Sequence, residues 1–114
     1  MSNPKHYRDL CLNNIDELTA MVLTENSRQL NLWGVQDRTA FEWMCYLTEE
    51  VGEMAEAVSE NQYRQGNCHD VVKEAIQVAT LALKLAEMYD TEAENIKFAR
   101  QQRKGNQLKK LEGK

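Results

Sequence analysis

The chain is poor in the residues that break or staple a backbone: one Pro, five Gly and three Cys among 114 residues. So few turn formers exclude a many-stranded β fold, whose frequent turns need such residues. Cys11, Cys45 and Cys68 are odd in number, far apart and free of any Cys-x-x-Cys spacing. That excludes a disulfide framework and a zinc ribbon, and reads the three as small packed residues. Hydrophobic runs are short, none approaching the about 20 residues that span a bilayer. The amino terminus, MSNPKHYRDL, lacks the basic-then-apolar pattern of a signal peptide. A soluble, cytoplasmic protein with no membrane partner is expected. His6 and His69 have no ligand spacing and read as surface residues.

What is present is a 42% hydrophobic, 28% charged composition, enough for one domain over 1–114 with a core of its own. The net charge of −4 hides an asymmetry. Residues 97–114 hold seven basic residues and one acid, whereas 1–96 hold seven basic and seventeen acidic ones. A basic end of this kind can suggest nucleic acid. It is more economically read as a last helix that complements the acidic body, within a subunit or between subunits, and nucleic acid is not the expected partner.

The periodicity is helical almost throughout. Asn3-Pro4 is a cap and first-turn pair, and Tyr7, Leu10, Cys11, Ile15, Leu18 and Val22 follow it at helical spacing, predicting a first helix to about Arg28. Leu30 to Arg38 reads as a loop around Gly34. Thr39-Ala-Phe-Glu42 is a capping box that opens a second helix to about Asn61. NQYRQGN (61–67) is the next loop, and a third helix, apolar over most of its circumference, runs from about Cys68 to Tyr89. Thr91-Glu-Ala-Glu94 is a second capping box and predicts a fourth helix, frayed near Gly105 into a basic tail over 105–114. The expected fold is an all-α four-helix bundle. A third helix as apolar as this one further predicts self-association, as a dimer or a dimer of dimers.

On the second helix, Phe41, Met44, Cys45, Thr48, Val51, Ala55 and Val58 share one face, which reads as core. Opposite lie Glu42, Tyr46, Glu49, Glu53, Glu56 and Glu60, with Glu50 at the boundary between Trp43, Leu47, Met54 and Ala57. No Lys or Arg occurs between Arg38 and Arg64, so these carboxylates repel one another with no local cation. Either a solvated face, a divalent cation or a basic partner helix is implied. Hard cations prefer oxygen ligands, and Glu at i and i+3 aim two carboxylates at one point. The third helix repeats that spacing at Glu74 and Gln77, within a polar stripe of Lys73, Glu74, Gln77, Thr80 and Lys84. That stripe is either the helix's solvent edge or the second half of an oxygen-rich site.

The run Leu47-Thr-Glu-Glu-Val-Gly-Glu-Met-Ala-Glu-Ala57 resembles the MazG-like all-α nucleotide pyrophosphohydrolases, whose hallmark is Glu-x-x-Glu, a spacer, then Glu-x-x-Asp. Here Glu50-x-x-Glu53 is followed by Glu74-Ala-Ile-Gln77, with Gln in place of the family's Asp. Trp33-Gly34-x-Gln36 and the NIKFAR run, Asn95 to Arg100, extend the resemblance over residues 33–100. The resemblance implies Mg²⁺-dependent hydrolysis of a nucleoside triphosphate to monophosphate and pyrophosphate in nucleotide-pool house-cleaning, with Mn²⁺ a possible substitute. It implies Glu50, Glu53, Glu74 and Gln77 as metal ligands and Glu49 as the residue that orients or deprotonates water. Trp33, Gln36, Lys84, Asn95, Lys97 and Arg100 would bind the substrate. The alternative is a non-catalytic nucleotide-binding or regulatory relative, with Gln77 as the lesion.

Overall fold

The computed structural model describes residues 4–112, and these form three α-helices: α1 (Ile15–Trp33), α2 (Ala40–Tyr63) and α3 (Cys68–Glu112). The fold is all-α, with three helices in place of the expected four. The difference lies at Thr91, where the capping box opens no new helix and α3 simply continues. A capping box ends a preceding helix only if the chain also leaves helical geometry there, and residues 84–94 contain neither Gly nor Pro to make it do so. Gly105 does not interrupt α3 either.

The first helix also shifts. Asn3, half of the expected cap, lies outside the described residues, and Pro4 to Leu12 are exposed and not helical. A helix over this short stretch would bury no apolar face, and short helices without packing are marginal in water. Leu12 instead adopts a left-handed φ of 54°, and α1 starts at Ile15. The Lys5 N–H donates to Gln62 Oε1 at 2.8 Å, tying this segment to the end of α2. At the other end α1 runs past Arg28 to Trp33, because no breaker precedes Gly34, whose φ of 69° and ψ of −171° suit only glycine.

By contrast, α2 starts where its capping box predicts. Thr39 Oγ1 accepts from the Glu42 N–H at 3.2 Å, and the Glu42 carboxylate accepts from the Thr39 N–H at 3.4 Å. The connection to α3 is four residues long, 64–67, so the two helices form a tight hairpin. The turn is closed on one carbonyl: Glu60 O accepts from both the Arg64 and the Gly66 N–H groups at 2.9 Å. Asn61 Nδ2 adds a bond to Gly66 O at 2.9 Å.

The chain divides into two compact units, Met1–Leu83 and Lys84–Lys114. In the first unit the buried residues are Trp43, Ile76, Thr80 and Leu81. The inward sector of α2 is thus Trp43, Leu47, Glu50, Met54 and Ala57, not the face read as core. Phe41, Met44, Cys45, Val51 and Val58 are exposed, Phe41 at 85%. The apolar arc of α2 covers more than half the helix, wider than one neighbouring helix can cover. The neighbours meet its Glu50 side. Cys11 and Cys68 are exposed too, so none of the three cysteines packs as expected. His6 and His69 are on the surface.

Two glycines test this description. A Cβ at Gly66 would sit 2.9 Å from the Glu60 carbonyl carbon, whereas one at Gly105 would meet nothing within 4 Å. Gly105→Ala should therefore stabilise the protein by about 0.5–1 kcal/mol, as for any Gly within a helix, and Gly66→Ala should destabilise it. Urea melts followed by circular dichroism check both signs.

Candidate metal centre

The polar stripe of α3 turns inward. Glu74 and Gln77 are half-buried and Thr80 is 1% exposed, so these three are not a solvent edge. Thr80 satisfies its hydroxyl within the helix, donating to Ile76 O at 2.8 Å. The other polar groups meet α2. One carboxylate oxygen each from Glu50, Glu53 and Glu74 lie within 4.8 Å of one another. Oriented with its nitrogen toward the carboxylates, the Gln77 amide donates to Glu74 Oε2 and Glu50 Oε2, both at 2.9 Å. Helical spacing accounts for the set: i, i+3 pairs on each helix, brought face to face by the short hairpin.

The electrostatics follow from the crowding. Burial, reinforced by the charges of Glu53 and Glu74, pushes the Glu50 carboxyl up to about 7. Burial and the Glu53 charge also raise Glu74, while the cation of Lys73 opposes that rise. The donor set is all oxygen and mostly anionic, which fits a hard divalent cation such as Mg²⁺ or Mn²⁺. Bound there, such an ion would be held by Glu50, Glu53 and Glu74 and would neutralise their mutual repulsion.

Sequence reasoning missed Glu25. On α1 the inward stripe begins apolar, with Leu18 and Val22, and turns polar at Glu25, Asn26 and Gln29. Glu25 lies close enough to Glu50 for its charge to help raise that carboxyl. It is itself held, accepting from Arg28 at 2.6 and 2.8 Å and from Gln29 Nε2 at 3.0 Å. The continuation of the i, i+3, i+4 pattern from Leu18 was the available signal; it was hidden because the pattern was followed only through apolar residues.

The remaining expected site residues divide between the two units. Glu49 is exposed, next to the cluster in sequence. Trp33 is exposed with the Arg28 guanidinium 5.9 Å over its ring, and Gln36 Oε1 accepts from Arg38 Nε at 3.3 Å. Arg38 also stacks 5.2 Å from the Tyr46 ring and pairs with Glu42 at 3.5 Å. Lys84, Asn95, Lys97 and Arg100 all belong to the second unit. There, Lys97 and Arg100 line an open groove together with Ala93, Ile96, Gln101 and Lys104.

No family model, curated protein or solved structure matches this chain. No helix among the described residues is long and apolar enough to cross a membrane.

The raised Glu50 carboxyl sets a pH dependence with a definite sign. Its proton is bound more tightly in the folded than in the unfolded chain, where an ordinary carboxyl near 4.5 applies. That contribution to stability is complete below about pH 4.5 and is lost as pH rises through about 7. In metal-free buffer, stability should fall between pH 5 and pH 8 (roughly the span between those two values), and Glu50→Gln should flatten the fall. Urea denaturation across that range measures it.

Proposed function

We propose that this chain is a Mg²⁺-dependent nucleoside triphosphate pyrophosphohydrolase of the MazG-like kind, converting (d)NTP to (d)NMP and pyrophosphate. The observation that carries the reading is the triad of Glu50, Glu53 and Glu74, gathered within 4.8 Å from two helices at the positions of the Glu-x-x-Glu and Glu-x-x-Gln motifs. Phosphoryl chemistry needs charge neutralisation and positioning more than covalent help. Mg²⁺ or Mn²⁺ supplies both when bound, by drawing off charge from the phosphate oxygens. Glu49, exposed and adjacent to the first ligand, is placed in the reading as the group that takes a proton from the attacking water. The water oxygen bonds to the α-phosphorus, the α–β anhydride bond breaks, and pyrophosphate leaves with its electron pair.

A house-cleaning role in the cytoplasmic nucleotide pool follows from that reaction. Self-association as a dimer or a dimer of dimers is part of the same reading, supported by the exposed apolar arc of α2 and by Val72 and Leu83 of α3. A second reading, a nucleotide-binding protein without turnover, is favoured by one observation. Gln77 faces the carboxylates as a hydrogen-bond donor, leaving three anionic residues where the family pattern has four.

A screen of common and damaged (d)NTPs with Mg²⁺, resolving monophosphate and pyrophosphate from diphosphate and phosphate, separates the two. Turnover to monophosphate is expected, and metal binding without any turnover would leave the second reading. Independently of substrate, Mg²⁺ should raise the melting temperature by mass action. Glu50→Gln or Glu53→Gln should remove most of that rise, and Glu60→Gln should keep it. Equal rises in all three would mean diffuse screening instead of a site.

Gln77→Asp gives the sharpest contrast. It removes two hydrogen bonds and adds a fourth charge, so the metal-free protein should melt lower by an amount corresponding to about 1–3 kcal/mol. Mg²⁺ should then bind more tightly than to the native chain, and calorimetric titration beside the thermal melts reads both effects.

A further inference from the structure

The two units carry opposite charge. Residues 1–83 hold six basic and thirteen acidic residues, and residues 84–114 hold eight basic and five acidic ones. On the first unit the acidic side is a stripe of α2, with Glu49, Glu53 and Glu56 exposed and Glu60 half-buried. Two ion pairs lie at the ends of α2, Arg38–Glu42 at 3.5 Å and Arg64–Glu60 at 3.1 Å. Beside that stripe, α2 leaves Phe41, Met44, Val51 and Val58 exposed.

The second unit is the last part of α3, and every residue from 86 to 111 except Gly105 is exposed. A lone helix of this length gains little stability in water, since most helical stability in proteins comes from a packed face. The face that holds its groove combines Lys97, Arg100 and Lys104 with the apolar Ala93 and Ile96. Those cations recur at i, i+3 and i+7, the spacing of Glu53, Glu56 and Glu60, and of Glu56, Glu53 and Glu49 read backwards. Two helices with these stripes side by side match charge to charge in either direction, with an apolar seam next to the ion pairs.

We propose that the basic face of α3 around Lys97, Arg100 and Lys104 docks on the acidic stripe of α2 in a second copy of this chain, the contact being exchanged about a twofold axis. A second copy is favoured because an isologous pair makes the same contact twice. Each copy then offers a basic helix and accepts one, so three complementary pairs become six. The inference does not rest on the catalytic reading, although its stripe shares Glu49 and Glu53 with the site of that reading.

The test uses the full chain with Cys11, Cys45 and Cys68 replaced by Ser. One preparation carries Glu56→Cys and another carries Arg100→Cys; the two are mixed and treated with a short bis-maleimide. A covalent heterodimer on denaturing gels is expected. Absence of a heterodimer, with cross-linking seen only within single chains of a third preparation that carries both substitutions, would overturn the proposal. A second measurement covers the case in which the cysteine geometry is poor. Arg100→Glu with Lys104→Glu should weaken association by at least about tenfold in sedimentation equilibrium, and adding Glu56→Lys with Glu60→Lys should restore it. Raising NaCl from about 0.1 M to 1 M, which shortens the screening length from about 10 Å to 3 Å, should weaken the native association in the same direction. Association unchanged by the charge reversal, whether or not the reversal abolishes binding to a duplex DNA probe, would overturn the proposal.

Discussion

Like-charge repulsion is the constraint around which the first unit is arranged. Glu50, Glu53 and Glu74 bring carboxylate oxygens within 4.8 Å of one another. Two unit charges about 4 Å apart near a protein surface interact by about 4 kcal/mol, so a fully ionised trio would push the helices apart. Three local features relieve it. The Glu50 carboxyl holds its proton well above the ordinary carboxylate range, Gln77 donates to two of the acids, and the cation of Lys73 acts on Glu74. The proton is the feature a divalent cation would displace. A metal bound there would compete with the proton for the same oxygens, and its uptake would be coupled to proton release.

The same constraint explains the inward placement of polar residues on α3. Burying Thr80 at 1% exposure is tolerable because its hydroxyl finds Ile76 O inside its own helix. Gln77 is tolerable because it meets acids instead of apolar side chains. On α1 the ion pair of Glu25 with Arg28 serves a similar end, offsetting a fourth carboxylate that faces Glu50. The packed interior of this unit is thin, and polar pairings carry much of its specificity.

Local chemistry was legible in the sequence, and the choices that depend on neighbours were not. Thr39 and Glu42 announce the start of α2 because a capping box works within four residues. Glu50, Glu53 and Glu74 could be singled out because helical spacing and a short connection suffice to bring them together. The capping box at Thr91 misled because it reports a favourable place to start a helix, and nothing upstream required the previous one to stop. The buried side of α2 misled because its apolar arc is broad and the packed sector is chosen by α1 and α3. Glu25 was missed because it belongs to a stripe that changes from apolar to polar along its length. Gln77 was read as an oxygen donor to metal, and with its amide turned the other way it donates to Glu50 and Glu74 instead. Residue type alone does not tell which end of an amide turns inward.

The turn between α2 and α3 acts as a ruler. Glu60 O accepts from Arg64 and Gly66, and the tight approach of Gly66 to residue 60 leaves the connection no slack. An α-helix turns about 100° per residue, so one residue inserted within α2 or α3 between this turn and the acids would carry a carboxylate away from its fellows. Lengthening the turn itself would let the two helices slide, and the acids would lose their common centre without any of them being changed. The spacing from Glu53 to Glu74 is therefore a mechanical dimension of the protein, fixed by backbone closure.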